Sequence, residues 1–162
     1  AHKMATRSTI ALEYADGTVD QIYCHWDGYL ENNGQILFQH YKDPFKVREL
    51  MDLGDVSSLG ASLGEKHSFD NPHKYGTPEY QAEQEARADI TTFYGRDRGE
   101  TGTGFQVAHT FEEFLEQCDL CGAEYYYIMQ DGVWYCGDTY TCSAISQKLV
   151  PVTEALSVTE EA

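Results

Sequence analysis

Apolar and polar positions alternate through "STIALEY" (8–14), placing Ile10, Leu12 and Tyr14 on one side of an extended strand. After "ADGT", a turn centred on Asp16-Gly17, the alternation resumes in "VDQIYCHW", with Ile22, Cys24 and Trp26 on one side and Tyr23 and His25 on the other. Two alternating runs joined by Asp-Gly predict a β-hairpin. "ENNG" reads as a break before "GQILFQHYK", which can start a helix. "DPFKVRELMDLG" predicts a second helix: Asp43 suits the N-cap, Pro44 the first helical position and Gly54 the stop. Val47, Leu50 and Met51 share its apolar stripe.

The Leu-Gly pairs at 53–54, 59–60 and 63–64 read as turn punctuation, since neither a P-loop nor a dinucleotide motif is spelled out. Residues 66–76 form a polar loop. Thr77 and Pro78 open a short, solvated helix toward Asp89. "ITTFYG" (90–95) suits a strand and "RDRGETGTG" an exposed loop. Thr110 and Glu113 form a capping box ahead of an apolar stripe of Phe111, Phe114, Leu115 and Cys118. "AEYYYIMQ-DG-VWYC" is a second Asp-Gly hairpin. The Thr/Glu-rich segment from Pro151 reads as a flexible tail. These elements predict one α+β domain over residues 4–150: a mainly antiparallel sheet of about five strands from two hairpins, with three or four helices. The helices would cover one face of the sheet and the other would carry many tyrosines. Met4 reads as the initiator, and residues 1–3 as an appended remnant.

Length and apolar content change this picture little: 162 residues suffice for one core. No apolar run approaches the roughly 20 residues of a membrane span, and no signal peptide is visible, so the expected location is cytoplasmic. Charge matters more. With 27 acids against 11 bases, the net charge of -16 should repel nucleic acid and anionic membranes. Solubility alone accounts for such acidity; a functional acidic surface would meet a basic partner.

Three stretches carry candidate chemistry. Five cysteines, an odd number, argue against a disulfide framework. Cys118-x2-Cys121 resembles half a zinc site, but Cys136 and Cys142 are separated by five residues and Cys118 lies on an apolar stripe, so ordinary thiols are favoured and no cofactor or metal is expected. "CHWDGY" (24–29) offers His25 with Asp27 as a hydrolase pair, or His25 with His40 and an acid as metal ligands. Cys24 and His25, adjacent on a strand, are poorly placed as a nucleophile and its base. Trp26 and Gly28 are read as serving the fold, and His25, Asp27 and Tyr29 as reaching a ligand or partner. In "FYGRDRGE" (93–100), Arg96 and Arg98 could meet a phosphate or carboxylate from a loop beside Tyr94, or pair with Asp97 and Glu100.

The run "MATRSTIALEYADGTVDQIYCHWDGYLENNGQILFQHY", with "FYGRDRGE" and the Tyr-rich final hairpin, resembles a family of small uncharacterised proteins carried by phages, prophages and plasmids. The resemblance spans roughly residues 4–136 and implies no catalytic residues. It implies an accessory protein of a mobile element that binds and blocks a host protein in defence or nucleic-acid metabolism. The expectation is a non-enzymatic inhibitor that occupies a host protein's basic surface, with exposed tyrosines as anchors; whether it is a homodimer stays open. The competing expectation is a nucleotide-like ligand, or a reaction, at a pocket built by His25, Asp27, Tyr29, His40, Tyr94, Arg96 and Arg98.

Overall fold

A computed structural model describes residues 5–138 and 149–161. The first hairpin forms as the alternation requires: β1 (Ser8–Glu13) and β2 (Val19–Cys24) pair antiparallel, with Ile10 opposite Ile22. Gly17, at φ 88°, takes the left-handed position that the turn needs. A single π-helical turn, Leu30–Gly34, then runs into α1 (Gln35–His40), so "ENNG" belongs to a helix and not to a break. Asn33 explains this. Its buried amide donates to Ser8 Oγ at 3.1 Å and Cys24 Sγ at 3.4 Å, anchoring the turn on the first hairpin.

Helix α2 (Pro44–Leu53) starts where Asp43 accepts the Phe45 N–H and stops at Gly54, burying Val47, Leu50 and Met51. β3 (Val56–Ser58) lies inside the Leu-Gly segment, whose glycines spell turns and hide the strand. α3 (Pro78–Arg87) is capped by Thr77 and buries no residue fully. The "ITTFYG" strand shortens to β4 (Thr92–Phe93), because Tyr94–Arg98 coil into α4. β5 (Gln106–Ala108) precedes α5 (Phe111–Leu120), whose capping box is formed by Thr110 accepting the Glu113 N–H. The second hairpin joins β6 (Tyr125–Gln130) to β7 (Val133–Asp138) through Asp131 and Gly132, both at positive φ. β8 (Val150–Pro151) spans the expected domain boundary, and the segment expected as a flexible tail from Pro151 continues into α6 (Val152–Glu161), with Val152 buried.

The fold is α+β, with six helices and a mixed eight-stranded sheet among the described residues, in place of the smaller, mainly antiparallel sheet expected. The order is β4-β3-β2-β1-β6-β7-β8, and β5 joins the free edge of β2. The two hairpins meet through a parallel pairing of β1 with β6, and β2 with β3 is parallel too. Placing β6 in the interior overturns the expected tyrosine face. One core gathers Ile10, Ile22, Tyr127 and Met129 under α1 and α2; the other gathers Ala11, Val19, Tyr126 and Ile128 under α5. Tyr126 and Tyr127 are therefore both buried, one on each side of the sheet.

β3 and β5 share the same edge of β2 without meeting. β5 ends opposite Gln21 and β3 begins opposite Cys24, which leaves the backbone of Tyr23 uncovered between them. Asp55 fills that place, its Oδ1 accepting the Tyr23 N–H at 2.9 Å.

Candidate functional site

β2 ends at Cys24, so the chain is free to turn at His25. Its imidazole bridges two neighbours: Nδ1 lies 2.7 Å from the Tyr23 hydroxyl, and the ring meets Trp26 edge-on at 4.7 Å. Tyr23 and His25 thus share a side as expected, while Trp26 is held against the His25 ring. Burial and the Arg7 guanidinium lower the His25 pKa, favouring the neutral ring. Asp27 sits at φ 54°, a sparsely populated conformation, and its carbonyl accepts from the Asn32 amide.

Gly28 is locked into the fold. Its N–H donates to Thr6 O at 2.8 Å, its carbonyl accepts from the buried Tyr127 hydroxyl at 2.6 Å, and a Cβ there would stand 2.6 Å from Ser8 Cβ. Trp26 does not pack into either core. Instead Trp26 and Asp27 line an open groove of about 510 Å³, with Ile36, Leu59, Phe69 and Ile90 as apolar lining and Asp70 and Arg87 as charged neighbours. Arg87 is tied to Glu83 at 2.9 Å and to the carbonyls of Phe69 and Asp70.

The remaining sequence candidates do not gather here as one set. Tyr29 is exposed, and its carbonyl starts the π-helical turn. His40 is exposed at the end of α1 and lines neither the groove nor the smaller hollow described below. Tyr94 stacks on Phe69 at 5.5 Å, and Arg98 lies over the same ring while approaching Glu100. Arg96 corrects the picture of two arginines converging on a ligand. Its guanidinium donates to Leu63 O, Gly64 O and Thr91 O, pairs with both oxygens of Asp97, and covers the Phe93 ring at 4.7 Å. Such a fork, with its donors on carbonyls and a carboxylate, is a structural clamp.

Nucleophilic and metal chemistry are not assembled from the predicted groups. The Cys24 thiol is buried in the core beneath α1, away from the Tyr23 side where His25 points, and burial pushes it up to about 11. Cys118 and Cys136 belong to cores on opposite faces of the sheet, so the sheet separates two members of the proposed zinc set; Cys142 lies outside the described residues. Burial drives the Cys118 thiol to about 12, and it is engaged by Thr9 and Gln21. No group of three or more His, Cys, Asp and Glu side chains among the described residues is placed to hold a metal ion.

A second hollow, of about 230 Å³, opens on the α5 side where β3 and β5 leave the edge of β2 bare. Thr9, Gln21, Tyr23, Asp55, Gln106, Gln117 and Cys121 line it. Sequence reasoning misses it because its residues come from five separate stretches. The one local hint was Asp55, an acid just past a helix stop with no cap to form. Desolvation raises the Asp55 pKa to about 6, while the Tyr23 N–H opposes the rise. Its folded value exceeds the model-peptide value of 3.8, so the native state holds its proton more tightly. This group's stabilisation is present in full below pH 3.8 and is lost as pH rises through about 6. Asp55→Asn should therefore raise stability at pH 7 by about 1–2 kcal/mol, a value discounted because the carboxyl is partly exposed. Thermal unfolding followed at pH 7 and near pH 4 checks this: the advantage should vanish at the lower pH.

No protein-family model matches this chain, and neither the curated proteins nor the solved structures contain a significant match to it.

Proposed function

We propose that this chain is a non-enzymatic binding protein that docks on the basic surface of a host protein and blocks it. The single observation behind this reading is the way the chain uses its charges. Lys46 holds the carbonyls of His40 and Ala61, and Arg48 pairs with Asp20 and Asp52. Arg87 and Arg96 are bound internally as described above. Even if every lysine and arginine were paired with one acid, a charge of -16 would remain. That surplus repels nucleic acid and anionic lipid, and it attracts a cationic surface over about a Debye length, roughly 8 Å at physiological salt.

The groove at Trp26 and Asp27 suits such a surface. It offers an indole and aliphatic side chains for burial beside the carboxylates of Asp27 and Asp70. The mobile-element origin implied by the sequence resemblance, and with it a place in the host cytoplasm, belong to the same reading. In the structure, no helix among the described residues is long and apolar enough to cross a membrane.

Capture from host lysate on immobilised protein tests the proposal. A basic protein should be retained at low salt and released as salt rises. The double variant Asp27→Asn, Asp70→Asn should bind it at least about tenfold more weakly, equivalent to about 1.4 kcal/mol. Retention that ignores both salt and the double substitution would overturn the reading, and so would the absence of any specifically retained protein.

A further inference from the structure

We propose that the hollow between β3 and β5 receives one guanidinium or alkylammonium group. Its chemistry is one-sided. Gln21 is 4% exposed, and its Nε2 is committed to Cys118 Sγ at 3.2 Å. Gln117 Nε2 donates to Val107 O at 3.5 Å. With both amide nitrogens engaged, Gln21 Oε1 and Gln117 Oε1 remain, and both are buried without a hydrogen-bond partner. Buried carbonyl oxygens rarely go unpaired, and each one left so is costly.

Among the other lining groups, the exposed Gln106 amide can turn either end toward the hollow, and the charged one is an acceptor. The Asp55 carboxyl adds a third acceptor, one Oδ1 lone pair already taken by the Tyr23 N–H. The Thr9 hydroxyl is engaged with Cys118 and the Tyr23 hydroxyl with His25. Two amide oxygens and a carboxylate match a group made of N–H donors that carries positive charge.

Size narrows the choice. About 230 Å³ is less than the roughly 300–1,000 Å³ of ordinary small-molecule sites, yet it exceeds a single water's share of liquid volume, about 30 Å³, several-fold. The head of an arginine or lysine side chain fits that space; a nucleotide does not.

The charged and titratable groups around the hollow are Asp55, Tyr23, His25, Cys121 and Arg7. Arg7 is the opposing one. Its guanidinium lies close to Tyr23, His25 and Cys121 and beside Gly122. Its positive charge opposes an incoming cation, and removing it should tighten binding.

The incoming group has two sources, a free amine or amino acid, or a basic side chain of the bound partner. Only the second rests on the function proposed above. N-acetyl-arginine amide, its neutral isostere N-acetyl-citrulline amide, and a short arginine-containing peptide serve as probes in an NMR titration that follows the side-chain amide signals of Gln21 and Gln117. The arginine amide should shift both signals and bind at least tenfold more tightly than the citrulline amide. Asp55→Asn should abolish the difference, and Arg7→Ala should lower the dissociation constant severalfold. Tighter binding of the peptide than of the amide assigns the group to a partner; equal binding assigns it to a free ligand. The proposal is overturned if neither cationic probe moves the two signals at millimolar concentration, or if the arginine and citrulline amides bind equally. The two readings fail separately. A host protein captured equally by wild type and Asp55→Asn, with no cation entering the hollow, would remove this inference alone. A hollow that binds arginine amide with no host protein captured would remove the proposed function alone.

Discussion

Arg96→Ala should destabilise the protein by about 3–5 kcal/mol, the range for breaking one partner out of a buried ion pair. The guanidinium is mostly enclosed and the Asp97 side chain is fully buried. Removing Arg96 unpairs the adjacent carbonyls of Leu63 and Gly64 and that of Thr91, and leaves Asp97 the backbone N–H groups of Phe93 and His67 with the His67 imidazole at 3.5 Å. Arg96→Lys should recover only part of the loss, because one ammonium cannot span those acceptors as a planar fork does. Burial alone would raise the Asp97 carboxyl, but the Arg96 hydrogen bonds and the two backbone donors more than offset it and hold the pKa below 3.8. A depressed carboxyl contributes stability above its unfolded value that is lost as pH falls through the folded one. The gap between variant and wild type should therefore be widest near neutral pH and shrink below about pH 3.8. Urea unfolding of both proteins across pH provides the check. A loss under about 1 kcal/mol at pH 7 would show an exposed, loosely held arginine of the surface type, contrary to the clamp.

Gly28→Ala should cost about 2–3 kcal/mol, at the upper end of ordinary overpacking. The added methyl would meet Ser8 Cβ at 2.6 Å and Thr6 O at 2.7 Å. Neither can give way cheaply, since Ser8 is paired in β1 and Thr6 O already accepts from Gly28 N–H. Trp26→Ala separates fold from binding within the same motif. The indole lines the groove and belongs to neither core, so its loss should act mainly on partner retention. Guanidinium unfolding midpoints of the two variants, beside their retention of the captured partner, measure the division. A Gly28→Ala midpoint equal to wild type would mean that the turn is loose enough to accommodate a side chain.

The motif readings divide along the same line. "CHWDGY" was legible as a strand end followed by a turn, and Gly28 was legible as a fold residue. Trp26 was not legible as a groove residue, because alternation places a side chain only while the strand lasts, and β2 stops two residues earlier. In "FYGRDRGE" the alternatives for Arg96 were both visible in the sequence. The decision came from carbonyls at 63, 64 and 91, whose approach no local spacing records.

The sequence by itself determined the elements whose signals lie within a few residues. Asp-Gly made both hairpins; Asp43, Thr77 and Thr110 capped α2, α3 and α5; and the apolar stripes chose which sides of α2 and α5 face the sheet. Caps, turns and periodicity are local physics and survive in a linear reading. Tertiary structure alone decided that β1 would pair in parallel with β6, more than a hundred residues away, that Tyr126 and Tyr127 would be buried on opposite faces, and that β3 and β5 would leave a gap on β2 where Gln21, Asp55 and Gln117 come together. Those outcomes depend on which surfaces find complementary partners once the chain closes its long loops, and short strands such as β3 and β5 exist only because β2 offers them an edge.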